Sequence, residues 1–255
     1  MKKFFVWVFI AVTAVLAGCC THRSVLAPHD TIQLAARLQD ETVALVMTIP
    51  KLEGEYRMFC SGVWVNYDKI LTANHCVADT DEDGNDKNVV GTTINFITHE
   101  DSIDLGEGEK ILHPRSATVV KTDTLHDLAL LKVDGDTPRY HYAATIDKDE
   151  KIPVGTHVNV VGHTMGLIWS FSEGYVAGVR TEKGMKGRIS QPDGVAVKVL
   201  QVTATTGPGN SGGGVFDDDG NLIGICSFGM HKGVQIGFFV HHDVVVEFLR
   251  EARIF

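Results

Sequence analysis

The sequence has no surplus of positive charge: 23 Lys and Arg stand against 32 Asp and Glu, giving a net charge of −9 over 255 residues and a pI near 5.7. Without a basic stripe or clustered Lys and Arg there is no electrostatic footprint for nucleic acid, so nucleic acid is excluded as an expected partner. No internal repeat is visible. No apolar run reaches the length expected of a membrane-spanning helix: the run from Phe4 to Leu16 is too short and follows the basic start Met1-Lys2-Lys3, the pattern of a secretion signal. Cysteine is sparse, five in the chain, so each needs its own account.

Leu16-Ala17-Gly18-Cys19 resembles a bacterial lipoprotein cleavage box, which implies a signal peptide over 1–18 and a diacylglycerol on the Cys19 thiol. An ordinary signal peptide with small residues before Cys19 is the alternative. On the first reading the expected partners include a membrane, reached through the lipid on Cys19, with the protein facing the periplasm or exterior. Residues 19–38 are expected to be a tether and 39–255 the folded domain. Removing 1–18 leaves about 240 residues, enough for one large all-β domain or two small linked barrels. Cys20 has no assigned role.

Short apolar runs bounded by Gly, Asp and Asn recur at Thr42–Thr48, Gly62–Val65, Val89–Ile97, Leu128–Val133, Val158–Val161, Val195–Val202 and Gly233–Val240. They predict an all-β barrel or sandwich. Asp217-Asp218-Asp219-Gly220-Asn221 reads as a hairpin turn. Charged and Pro-containing residues between Asp134 and Asp149 separate two strand-rich halves, about 39–135 and about 145–241. Asp243 to Arg253 alternates apolar and charged residues as an amphipathic helix does.

Three segments carry the chemistry. His75 lies in Ile70-Leu71-Thr72-Ala73-Asn74-His75-Cys76, Asp127 in Asp127-Leu128-Ala129-Leu130-Leu131-Lys132-Val133, and Ser211 in Gly209-Asn210-Ser211-Gly212-Gly213. The chain order His, Asp, Ser is that of one of the convergent serine-hydrolase triads. In these segments the chain resembles the trypsin-like (chymotrypsin-fold) serine peptidases over roughly Glu41 to Leu249, with a lean toward the bacterial glutamyl-endopeptidase and high-temperature-requirement branches. The resemblance implies two six-stranded antiparallel β-barrels with a C-terminal helix at about 243–253. His75 and Asp127 would come from the first barrel and Ser211 from the second, with the active site between them. It implies a polypeptide substrate and no cofactor or metal. The chain stops at Phe255, which leaves no expected place for the PDZ module of the high-temperature-requirement proteases.

By the same resemblance, Ser211 is the nucleophile, His75 the general base and Asp127 its orienting carboxylate. Gly209 and Ser211 supply the oxyanion-hole amides. Ser227-Phe228-Gly229 is similar to a strand whose serine supports the triad aspartate and whose backbone pairs with extended substrate. A Cys60–Cys76 disulfide would brace the histidine loop, and Cys226 is expected to be a buried free thiol. Two departures matter. Asn210 replaces the aspartate that pairs with a new N-terminal ammonium in trypsin-like zymogens, so that activation switch is not expected. Thr205 stands where tryptic enzymes carry the aspartate that reads Arg or Lys. Thr205, Thr206 and Phe239 are therefore candidate pocket walls for a small or medium apolar side chain. Glutamyl endopeptidases also use threonine near this position, but their pocket histidine has no clear counterpart at Cys226 or Ser227. His231, His241 and His242 are expected to be solvent-facing or helix-start residues.

Asp79, Asp81, Asp83 and Asp86 have a partial calcium-loop spacing, but Val90 stands where the bidentate glutamate belongs, so a solvated acidic loop is expected. His241-His242-Asp243 is not expected to converge on a metal. Two function classes follow: a lipid-anchored serine endopeptidase, or a catalytically silent envelope protein that holds peptide in the same cleft.

Overall fold

The computed structural model describes residues 28–48, 56–79, 87–106, 109–138, 142–146, 151–181, 197–230 and 236–255. Helix α1 (Pro28–Asp40) leads into β1 (Thr42–Thr48), β2 (Tyr56–Asn66), β3 (Lys69–Thr72), β4 (Thr93–Thr98), β5 (Ser102–Gly106), β6 (Glu109–Leu112), β7 (Arg115–Asp123) and β8 (Leu128–Val133). The second half holds β9 (His157–Gly162), β10 (Ser170–Thr181), β11 (Lys198–Val202), β12 (Gly214–Phe216), β13 (Leu222–Met230), β14 (Ile236–His241) and helix α2 (His242–Glu251). Strands close into two antiparallel barrels, in the orders β1-β2-β3-β8-β7-β4 and β10-β11-β14-β13-β12-β9, while β5 and β6 form a separate hairpin. This is the chymotrypsin-type architecture. Closure satisfies the ladder groups that an open sheet would leave at its edges.

Each barrel fills its own interior. Trp64 meets Phe96 edge-to-face at 5.8 Å in the first, among Val43, Ile70, Val119 and Leu131. Phe239, Leu200, Val158 and Val215 fill the second. A third cluster joins the halves: Leu71 and Leu130 from barrel 1, Val161, Phe216 and Val240 from barrel 2, Leu34 and Leu38 from α1, and Phe248 and Leu249 from α2. Both helices thus pack over the seam between the barrels. The linker adds hydrogen bonds to each half, from Ala144 N to the Trp64 carbonyl and from Leu222 N to the Thr145 carbonyl.

Helix α1 includes residues 28–38 of the segment expected to be a tether. Leu34 and Leu38, four apart, turn one face to the seam, and Gln39 Nε2 donates to the Trp169 carbonyl at 2.8 Å. Helix α2 is capped by the His241 side chain, whose Nδ1 accepts from Asp243 N. Lys121 of barrel 1 bonds Glu251 at 2.8 Å and lies 4.7 Å from the Phe248 ring centre. The turn at 217–221 forms as its residues suggest: Asp217 Oδ1 accepts from Asp219 N and Asn221 N, and Gly220 takes φ +78°. No helix among the described residues is long and apolar enough to cross a membrane. Residues 1–27, with Cys19 and Cys20, lie outside the described residues, as do Asp81, Asp83, Asp86 and His231.

Candidate active site

Strand β3 delivers the chain into a single 3₁₀ turn, Asn74–Cys76, that presents His75. Cys76 is tied to Cys60 on β2 by a disulfide. Asp127 immediately precedes β8 and sits in the left-handed region at φ +55°, a conformation that Asp tolerates better than most residues. Its carboxylate is held from three directions. It accepts from His75 N at 2.9 Å, contacts His75 Nδ1 at 2.9 and 3.1 Å, and accepts from the Ser227 hydroxyl on β13. Barrel 2 therefore orients an acid that barrel 1 supplies.

Burial lowers the His75 pKa, but the hydrogen bond and charge of Asp127 outweigh it and leave the imidazole above its ordinary value. Nδ1–H directed at the carboxylate leaves Nε2 as the ring's available base.

Ser211 follows Gly209, at φ +103°, and precedes Gly212, at φ +81°. A side chain at Gly209 would place its Cβ 2.2 Å from the His163 carbonyl, and one at Gly212 would lie 2.1 Å from Thr72 Oγ1 and 2.3 Å from the Ser61 carbonyl. Glycine is required at both by conformation and by contact. The loop is pinned to barrel 1: Ser61 N donates to the Ser211 carbonyl at 2.7 Å, Ser61 Oγ to the Gly209 carbonyl at 2.7 Å, and Thr72 Oγ1 to the Ser61 carbonyl at 2.7 Å. Cys76 Sγ lies 3.6 Å from the Ser211 carbonyl oxygen. The amides of Gly209 and Ser211 donate to no protein acceptor among the described residues, which leaves both for a ligand oxygen. His75 and Ser211 themselves share no hydrogen bond.

On its other side the loop leans on the β9–β10 connection. Met165 N donates to the Pro208 carbonyl at 2.7 Å, and Thr164 Oγ1 donates to Asn210 Oδ1 at 2.8 Å. His163 is fully buried in this connection; desolvation lowers its pKa to about 4, and its Nδ1 accepts from Trp169 N. It is a neutral structural group.

Beside Ser211 is a small pocket of about 80 Å³, lined also by Thr206, Gly207, Pro208, Cys226, Phe228 and Gly229. Two of the three residues expected there do not line it. Thr205 is exposed and its carbonyl accepts from Ser172. Phe239 is wholly buried in the core of barrel 2. Ser227, expected to support the aspartate, donates to the Asp127 carboxylate. Cys226, expected only as a buried thiol, is free and buried and also lines the pocket; desolvation first, and the Asp127 charge second, push its pKa up to about 12. Sequence reasoning missed this role because the residue's apolar strand gave no sign of which face met the cleft. A larger open concavity of about 690 Å³ lies on barrel 1 around Tyr67, Lys132 and Asp134, and includes none of His75, Asp127 and Ser211.

His241 and His242 begin α2 as expected, but both are buried rather than solvent-facing. With Asp243 their donor atoms lie within 4.8 Å of one another. Lys198 occupies the Asp243 carboxylate and His241 Nδ1 is spent on the helix cap, so the convergence has a structural account. Asp79 is bonded to Lys87 at 2.9 Å.

Residues 60–225 match the family model of the trypsin-like peptidase domain. A probable periplasmic serine endoprotease, DegP-like, of Pseudomonas putida is 32% identical over 181 residues, covering 70% of this chain and 31% of the relative. The serine protease Do-like HtrA of Lactococcus lactis is 31% identical over 146 residues, 56% of this chain and 34% of the relative. The chain spans about a third of the length of these curated relatives. Among solved structures, the HtrA-type protease AlgW with a decapeptide superposes with a TM-score of 0.63 at 20% identity, over 86% of this chain and 66% of the other. A serine endoprotease from Yersinia pestis gives 0.61 at 20% identity, over 89% and 67%. The chain belongs to the trypsin-like peptidase domain family.

Proposed function

We propose that the protein is a serine endopeptidase of the bacterial envelope that works through His75, Asp127 and Ser211. The observation that carries this reading is the Asp127 carboxylate held jointly by His75 and Ser227, which fixes the tautomer a general base requires. Ser211 Oγ attacks the substrate carbonyl while His75 Nε2 takes its proton. The oxyanion is received by the Gly209 and Ser211 amides, whose loss costs about 3 to 4 kcal/mol in comparable sites. The imidazolium then protonates the leaving amine and an acyl-Ser211 ester remains. Water, deprotonated by His75, hydrolyses that ester and the proton returns to Ser211. No cofactor takes part in these steps.

Extended substrate would pair with the backbone of 227–229, where Gly229 is exposed beside the pocket. The pocket's volume suits a small side chain next to the bond that is cleaved. Asn210, held by the Thr164 hydroxyl, has no charge with which to bind a new N-terminal ammonium, so no trypsin-like activation cleavage is needed. Lipidation at Cys19 rests on the Leu16-Ala17-Gly18-Cys19 box. The periplasmic description of the relatives supports an envelope location.

The lack of a His75–Ser211 hydrogen bond favours one competing reading, a silent peptide-binding protein. Catalytic hydrogen bonds often close only in the substrate complex. A fluorophosphonate probe separates the two: the enzyme labels at Ser211 and loses labelling in His75→Ala. Equal labelling of wild type and His75→Ala, or none of either, would refute the peptidase reading.

A further inference from the structure

The loop that carries Ser211 has its peptide planes fixed one after another. In a trans peptide the carbonyl and the following N–H point in opposite directions, so holding one aims the other. The Pro208 carbonyl accepts from Met165 N at 2.7 Å, which turns the Gly209 amide away from the β9–β10 connection. The Asn210 carbonyl accepts from Gly213 N at 2.9 Å, which aims the Ser211 amide. Asn210 lies between these two amides, and its backbone torsions, with those of Gly209, set the angle between them.

Asn210 is only 2% exposed, and its side chain is held on two sides. Thr164 Oγ1 donates to Asn210 Oδ1 at 2.8 Å, which is that oxygen's one hydrogen bond among the described residues. Behind it is Gly162, the last residue of β9, where a Cβ would lie 2.4 Å from the same oxygen. The amide therefore packs directly on the strand backbone. Thr164 opens the 3₁₀ turn Thr164–Gly166, and Met165 after it takes φ +56°. One turn thus supplies both the hydroxyl for the Asn210 side chain and the N–H for the Pro208 carbonyl. A Cβ on Gly207 would lie 3.0 Å from the Thr164 methyl, so glycine there leaves the threonine its room.

Without the hydroxyl, Asn210 Oδ1 becomes a buried acceptor with no partner, which is costly. Rotation of the side chain toward solvent relieves that cost and carries the adjoining peptide planes with it. Resting on the peptidase reading above, we infer that Thr164 is a positioning residue, whose hydroxyl acts through Asn210 to hold the Gly209 and Ser211 amides in the orientation that receives the oxyanion. Negative charge on the substrate oxygen develops only on the way to the tetrahedral intermediate, so the effect falls on kcat rather than on KM.

The test is steady-state cleavage of a fluorogenic peptide by the full-length protein as wild type, Thr164→Val, Thr164→Ser, Asn210→Ala and the Thr164→Val/Asn210→Ala double variant. Thr164→Val is expected to lower kcat about 10- to 100-fold with KM changed less than about twofold. Thr164→Ser keeps the hydroxyl and should stay within about threefold of wild type. Asn210→Ala breaks the same bond from its other end and should give a similar loss, which keeps the test decisive if the valine variant does not fold. In the Asn210→Ala background Thr164→Val should add nothing, because the two residues act as one unit. Wild-type kcat in either single variant, a loss confined to KM, a serine variant as poor as the valine one, or additive losses in the double variant overturns the inference. Fluorophosphonate labelling at Ser211 is measured in parallel. Any of these results in a protein that labels and cleaves refutes the Thr164 assignment alone, whereas a wild type that neither labels nor cleaves refutes the peptidase reading beneath it.

Discussion

Glu41, at the junction of α1 and β1, is wholly buried, with Oε1 bonded to Arg37 Nε at 2.7 Å and Oε2 without a partner. Desolvation outweighs the arginine and raises its pKa from 4.5 to about 7. The folded protein therefore keeps this proton up to about pH 7, while the unfolded chain loses it near 4.5. Between those values the native state binds more protons, so stability must fall as pH rises and then level off. A difference of about 2.5 units corresponds to about 3 kcal/mol. Glu41→Gln removes the titration. Its own packing cost is independent of pH, so the informative quantity is the wild-type stability minus that of the variant. Urea denaturation from pH 4.5 to 7.5 should show this difference falling by about 3 kcal/mol and flattening above 7. Histidines that titrate in the same window cancel in the subtraction. Parallel profiles, or a difference that rises with pH, would refute the reasoning.

Three further outcomes are expected. In wild type, kcat/KM should rise with pH through an apparent pKa above 6.5, because His75 must be neutral and Asp127 raises it. Asp127→Asn leaves desolvation to act alone, so the midpoint should move below 6.5 and the plateau drop about 10³- to 10⁴-fold; a stopped-flow or discontinuous pH profile with an unmoved midpoint would contradict this. Gly212→Ala forces a left-handed φ on alanine and a contact of 2.3 Å with the Ser61 carbonyl. It should cost roughly 2–4 kcal/mol, lower Tm by roughly 5–15 °C and reduce kcat/KM about a hundredfold, and a near-native melting curve with full activity would count against the packing argument. Cys19→Ser should abolish incorporation of radiolabelled palmitate and release the protein from membranes, whereas persistent labelling would place the acyl group elsewhere.

What was legible in the sequence was local. Thr42–Thr48 and Leu128–Val133 form strands with the expected bounds because each is a short, largely apolar run bounded by turn or charged residues. The 217–221 turn follows from Asp and Gly chemistry within five positions. Helix α1 was less visible because only Leu34 and Leu38 of its face reach the seam, a stripe too narrow to stand out beside Asp30, Arg37 and Asp40. Strand β7 gives a poor signal because only Ala117 and Val119 are buried, Val120 is exposed, and Lys121 and Thr122 stand where further apolar residues would mark a strand. Pocket walls depend on cross-strand pairing. Cys226 and Phe239 are direct partners across β13 and β14 and share the barrel 2 core, yet Cys226 also borders the pocket and Phe239 does not. Position relative to Ser211 along the chain cannot make that distinction.

The same dependence on distant contacts governs the loop that carries Ser211. Its barrel 1 side is fixed by short bonds from Ser61 and by contact with Thr72, residues on strands that close a barrel, and these cannot move without breaking ladder pairs. Its barrel 2 side is held by Met165 and Thr164 from a connection with three residues in the left-handed region, Met165, Gly166 and Trp169, two of them not glycine. Backbone of that kind persists only where neighbours enforce it, and the enforcing contacts here are His163 against Trp169, with ring centres 4.6 Å apart, and Gln39 of α1 on the Trp169 carbonyl. The orientation of the Gly209 and Ser211 amides therefore depends on a helix that precedes both barrels in the chain. Loss of the Gln39 bond would loosen the β9–β10 connection first and the Gly209 and Ser211 amides through it, while the His75–Asp127–Ser227 hydrogen bonds, which share no residue with that route, would stay intact.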